Sequence, residues 1–237
     1  MNLKELLKNL VNVFFPKICI VCKKKLNEYE FALCNECSQK LPKIKPPLCR
    51  ICSLPLKNLN TSGLCSECYK NKPFFDKAIS LFLYREPVKT IIHLFKYKHY
   101  TFLKEFFKEK IKENSYLLSN LPFEGITFIP MHPLKLKDRE YNHAKIIAEI
   151  IAEIFRKPVI DAIRVKEYYR PQIRLNKRER KENIKGRFFA KDLNLKTILL
   201  VDDVLTTCST VNEAAKVLKE KGIKKVYVFS LARNEIS

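Results

Sequence analysis

Eight of the nine cysteines stand in four Cys-x-x-Cys pairs: Cys19/Cys22, Cys34/Cys37, Cys49/Cys52 and Cys65/Cys68. Each pair aims two thiolates at one point, and two pairs complete the tetrahedral all-sulfur shell that a structural zinc ion prefers. Eight thiolates make at most two such sites, each with four ligands and no open position for chemistry. Sequential pairing gives two zinc ribbons and interleaved pairing gives a cross-braced unit. The short gaps of 11, 11 and 12 residues favour the sequential arrangement, with one or two ions held. The competing use, a disulfide framework, requires a secreted chain. Lys4, Glu5, Lys8, Asn9 and Asn12 break up the apolar N-terminal residues and no small-residue cleavage site follows, so the expected compartment is cytoplasmic.

The other chemistry-bearing clusters lie in the second half. The apolar run at 197–201 is followed by Asp202 and Asp203, then by Thr206, Thr207, Cys208, Ser209 and Thr210. Two adjacent carboxylates at a strand's end are costly unless they meet hydroxyls or a cation. A hydroxyl-rich turn opening a helix offers free N–H groups and a positive dipole end to a phosphate. Together they describe a site for a phosphorylated sugar, against the plainer reading of a helix cap on a solvated turn. After a second short apolar run, His132, Lys135, Lys137, Arg139, Asn142 and His143 gather cations and amides that suit a diphosphate.

These residues need elements to position them. Alternating patterns predict strands at 78–84, 126–130, 197–201 and 226–231, and helices at 88–97, 102–111, 142–155 and 210–221, closed by Gly222. An uninterrupted apolar strand such as 197–201 belongs at the centre of a parallel sheet. The expected architecture is a doubly wound α/β sheet at 73–237, preceded by a small four-cysteine zinc-ribbon domain at 1–72, doubled by its four Cys-x-x-Cys pairs. Leu3, Leu6, Leu7, Leu10, Val11 and Phe14 recur at helical spacing ahead of Pro16, which predicts a short amphipathic helix. No stretch is long and apolar enough for a transmembrane segment. With 46 Lys+Arg against 25 Asp+Glu, the net charge of +21 points to a polyanionic partner. Four glycines and the lack of Gly-rich phosphate strings exclude a P-loop or dinucleotide-binding enzyme.

The string ILLVDDVLTTCST resembles the phosphoribosyl pyrophosphate (PRPP) signature of type I phosphoribosyltransferases, two acids followed by Thr-Thr-Gly. That resemblance implies that Asp202 and Asp203 hold the ribose hydroxyls with Mg²⁺ nearby, and that Thr206, Thr207, Cys208, Ser209 and Thr210 take the 5′-phosphate. Cys208 stands where that signature has Gly, so the loop must accept a Cβ there. The segment around His132 resembles the pyrophosphate loop of the competence protein F (ComF) family. Pro130, His132, Pro133, Arg139, Asn142 and Ala144 match it, while Lys135 and Lys137 replace arginines and so lose the bidentate fork. Glu140, Tyr141 and His143 depart from the family's Gly, Phe and Gln. A third segment, with Gln172, Leu175, Arg180, Asn183, Gly186 and Phe188, resembles the same family within a basic stretch at 164–191 expected to act as a lid.

The resemblance implies a type I phosphoribosyltransferase-like parallel sheet flanked by helices and a role in natural transformation. It further implies DNA uptake and cytosolic single-stranded DNA as context, with a competence helicase-type partner. Two functions follow. One is a DNA-handling protein that binds PRPP and Mg²⁺, for which Tyr168 and Tyr169 among basic residues suit stacking on bases. The other is an enzyme that transfers ribose 5-phosphate from PRPP to a base or amine, with Asp202, Asp203 and Arg139 at its centre.

Overall fold

The computed structural model describes residues 17–28, 30–58, 61–96, 102–139, 141–166 and 186–235. Its central strand is β5 (Thr197–Leu205), and the apolar run within it is buried on both sides. Alternate residues serve opposite faces. Leu199 and Val201 join one core and Ile198 and Leu200 the other, which is why the strand carries no polar alternation. Around it lie β1 (Lys77–Leu83), β2 (Gly125–Phe128) and β6 (Lys225–Arg233). The four form one parallel sheet in the order β1-β6-β5-β2.

One face is covered by α3 (Val88–Phe95), α4 (Leu103–Glu113) and α7 (His143–Phe155). The other is covered by α8 (Ser209–Glu220) and by a two-stranded antiparallel ribbon of β3 (Ile163–Val165) and β4 (Phe188–Ala190). The expected helices and strands of this half are present to within a few residues, apart from the strand that carries the acid pair. It runs on through Asp202 and Asp203 to Leu205, because β6 continues to pair with it out to Arg233. The acids therefore sit in the strand rather than on the turn that follows. Short helices α1 (Asn35–Gln39), α2 (Ser66–Lys70), α5 (Tyr116–Ser119) and α6 (Pro133–Arg139) complete the described elements. Of these, α6 occupies a segment expected to be a loop.

The cysteine-rich part is fastened to the edge strand β1. Leu83 N–H donates to the Pro42 carbonyl at 2.7 Å and Ala78 N–H to the Ile51 carbonyl at 2.6 Å. These contacts satisfy backbone groups that an open sheet edge would leave exposed. Packing then divides by face. Cys19, Ile20, Leu26, Leu33, Cys34, Cys37 and Leu41 run into the core of α3, α4 and α7, whereas Cys49, Cys52, Cys65 and Cys68 run into the core of α8. Each face of the sheet thus takes one half of the cysteine-rich segment. The expected N-terminal helix lies outside the described residues, as do Tyr168, Tyr169, Gln172, Leu175, Arg180 and Asn183. The segment expected to form a lid is rooted in the β3–β4 ribbon, where Lys166 N–H donates to the Arg187 carbonyl at 2.9 Å.

Candidate functional site

The eight paired cysteines gather in the sequential order. Cys19, Cys22, Cys34 and Cys37 form one cluster and Cys49, Cys52, Cys65 and Cys68 the other, with the sulfurs of each cluster within 4.8 Å of one another. In each half, the second Cys-x-x-Cys pair opens a helix, with Cys34 and Cys65 as the N-caps of α1 and α2. A Zn–S bond of about 2.3 Å in a tetrahedron places sulfurs about 3.8 Å apart. The Cys22–Cys34 and Cys52–Cys65 separations are both 3.6 Å. Crowding alone sets the thiols against each other: hydrogen bonds with Cys52 and Cys68 pull Cys49 down, while those with Cys49 and Cys52, and then burial, push Cys68 up. Four such sulfurs ionise together only around a cation. The donor set, spacing and burial therefore fit structural zinc.

At the carboxyl edge of the sheet the acid pair is asymmetric. Asp203 N–H donates to Asp202 Oδ1 at 2.8 Å. Burial, reinforced by the Asp203 carboxylate, pushes the Asp202 carboxyl up to about 8. Asp203 is paired with Lys96 Nζ at 2.9 Å, delivered from the C-terminal end of α3. The two carboxyls offer several acceptors beside a cation, which matches sugar hydroxyls.

Beyond the strand, Thr206, Thr207, Cys208, Ser209 and Thr210 make the turn into α8. Cys208 is the N-cap and adopts the left-handed conformation, φ 60° and ψ 5°. That geometry is costly for a residue with a Cβ and explains why glycine is usual in this signature. Thr207 Oγ1 and Ser209 Oγ lie 2.8 Å apart. The turn curls around a small hollow also lined by Asp202 and Val204, and its amides open a helix of 12 residues.

The cationic segment reaches the same edge because β2 pairs with β5 and Ile129 N–H donates to the Val201 carbonyl at 2.9 Å. Within this segment Asn142 caps α7, accepting from Lys145 N–H at 3.3 Å and donating to the Ile129 carbonyl at 3.0 Å. This pins the segment to the end of β2. Arg139 is half-buried and close enough to act electrostatically on His143, as do Asp203 and Lys96. Lys135 lies one helical turn before Arg139 on α6, Lys137 is exposed and His132 is buried. Glu140 lies outside the described residues.

Two contributors to this region, Lys96 and Arg233, were not legible as such in the sequence, and neither was the burial of a third, His143. Lys96 ends a helix whose visible signal is its apolar face, and nothing in the spacing links it to an acid more than a hundred residues away. His143 is 1% exposed, wedged edge-on against Tyr141 and Phe95 with ring centroids 4.9 and 5.5 Å away, and among the described residues neither of its nitrogens meets a hydrogen-bond partner at normal geometry. Burial holds it down to about 4, against the pull of Asp203. Arg233, an arginine that ends an apolar strand, is buried beneath the phosphate-type turn.

A double zinc ribbon domain family matches residues 10–69. Competence protein F of Haemophilus influenzae is 29% identical over 181 residues, covering 71% of this chain and 78% of that protein. Competence protein ComFC of Streptococcus pneumoniae is 26% identical over 155 residues, 65% of this chain and 67% of that one. These matches bear out the resemblance to the competence protein F family that the motifs carry.

Proposed function

We propose that this protein acts in competence, as its similarity to competence protein F and ComFC supports, and that the carboxyl edge of its sheet binds PRPP. The observation that carries the reading is the sequence of groups along one strand and turn: a buried and an ion-paired carboxyl, then a hydroxyl-lined turn opening α8. Asp202 and Asp203 would meet the ribose hydroxyls, Thr206 to Thr210 the 5′-phosphate, and His132, Lys135, Lys137 and Arg139 the diphosphate. Mg²⁺, arriving with PRPP, would neutralise diphosphate charge. The orphaned His143 nitrogens beside Asp203 supply a further polar contact in the same region. Residues 1–72 serve in this reading as a zinc-held platform and 73–237 as the ligand-binding part. The partner is cytoplasmic single-stranded DNA, together with a helicase-type protein, which the charge of +21 suits.

The second reading, a phosphoribosyltransferase that acts on a base or amine, is favoured by Arg139 acting on the same His143 as Asp203 does, from where it would stabilise a leaving pyrophosphate. Calorimetric titration of the zinc-loaded protein with PRPP and Mg²⁺ tests both. Saturable binding that is lost in Asp202→Asn/Asp203→Asn is expected. Pyrophosphate release that depends on an added base or amine assigns the transferase, binding without release assigns the DNA-handling role, and absence of binding overturns the PRPP site.

A further inference from the structure

Arg233 is 2% exposed, and its guanidinium joins two parts of the molecule that are distant in sequence. Nε donates to the Cys52 carbonyl at 3.1 Å and Nη2 lies 3.9 Å from Cys52 Sγ. On the other side Nη1 donates to the carbonyls of Leu205 (2.9 Å), Thr206 and Asn234 (3.1 Å). Leu205 and Thr206 form the base of the hydroxyl-lined turn. Among the described residues no carboxylate pairs with this cation, and the sulfur beside it is Cys52 of the second cluster. A buried guanidinium without a counter-charge is strongly unfavourable.

Between the cluster and the turn lies a cavity of about 320 Å³, lined by Cys52, Cys65 and Cys68 on one side and by Thr207, Cys208 and Ser209 on the other. Arg233 crosses this cavity, alongside a tie from Phe74 N–H to Asn212 Oδ1 at 2.7 Å.

We propose that Arg233 is a positioning residue that couples metal occupancy of the second cysteine cluster to the order of the turn at 206–210. With the cluster loaded, the metal fixes Cys52, whose carbonyl takes Nε, and the guanidinium then holds the Leu205 and Thr206 carbonyls. With the metal gone, Cys52 is no longer fixed and the turn loses its anchor. The coupling is reciprocal by linkage: whatever orders the turn also tightens metal binding at the second cluster. It acts on the turn whatever the turn binds, so it stands apart from the PRPP reading. The first cluster, on the opposite face of the sheet, has no such connection to the turn among the described residues.

The test challenges zinc-loaded protein with a chelator while following zinc release and amide hydrogen exchange at 19–37, 49–68 and 206–210. In Arg233→Met, the second cluster should release zinc about 10–100-fold faster than in the parent, the scale on which contacts beyond the ligands act. The first cluster should keep its parental rate, and exchange at 206–210 should rise together with release from the second. Arg233→Lys, which keeps the charge but not the fork, should restore most of the zinc retention and leave the turn exchanging faster than in the parent. Cys65→Ser, which weakens the cluster without touching the arginine, should also raise exchange at 206–210. Equal acceleration at both clusters, parental zinc retention in Arg233→Met, or unchanged turn exchange in Cys65→Ser would overturn the coupling. Should Arg233→Met fail to fold, the lysine and serine variants carry the test.

Discussion

At the scale of single residues, the candidate site sets two adjacent carboxyls in unlike surroundings. Burial and the neighbouring carboxylate oppose ionisation of Asp202, whereas Asp203 is ion-paired with Lys96. The consequence for stability has a definite sign. A carboxyl whose folded-state value is raised from 3.8 to about 8 contributes fully at low pH, and its contribution is lost as pH rises through that interval. Thermal unfolding followed from about pH 5 to about pH 9 should therefore show a midpoint that declines in the parent from this source. Asp202→Asn, which is always neutral, should remove that decline and leave the variant more stable than the parent at the alkaline end by about 1 kcal/mol or more. The acids and the hydroxyl run were legible in the sequence because they are contiguous. Lys96, Arg233 and the burial of His143 were not, because they come from the fold bringing together the end of α3, the start of α7 and the final strand.

At the scale of elements, legibility followed burial. The run at 197–201 and the periodic faces of α7 and α8 declare themselves because a sheet covered on both sides needs apolar residues on every strand position and on one stripe of each helix. The end of β5 was misplaced because the acids look like a turn, and pairing with β6 overrides that preference. The helix α6 was missed because it is short, charged and opened by Pro133, which reads as a loop. Its placement depends on Asn142, which both caps α7 and ties back to Ile129. Asn142→Ala should cost about 1 kcal/mol in urea unfolding, the usual value of an N-cap. On the reading proposed above it should also weaken PRPP binding beyond what that loss predicts, since the segment that carries Arg139 would no longer be pinned to the end of β2.

At the scale of the whole molecule, the cysteine pairing was set by the short gaps, whereas the distribution of the two clusters over opposite faces of the sheet was not readable from spacing. Each cluster is continuous with one of the two cores. Stripping both metals should therefore loosen the sheet as well as the ribbons. A chelator-treated sample compared with the zinc-loaded one by calorimetry should unfold about 10 °C lower or more, at roughly 2–4 °C per kcal/mol for a chain of this size. The two forms should share one transition rather than show a separate low-temperature event for the ribbons.

The contact between Cys52 and Arg233 spans 181 residues, and this long reach has a consequence in time. On a ribosome adding about 5–20 residues per second, roughly 10–40 s separate the two ends of that contact. Throughout that interval the cysteine clusters can close locally around metal, but neither face of the sheet is complete, because β6 lies between β1 and β5 and is made last. Zinc capture is thus the early, local event and the seating of Arg233 the late one. The nascent chain passes through a stage in which its metal sites are formed and the anchored turn at 206–210 is not.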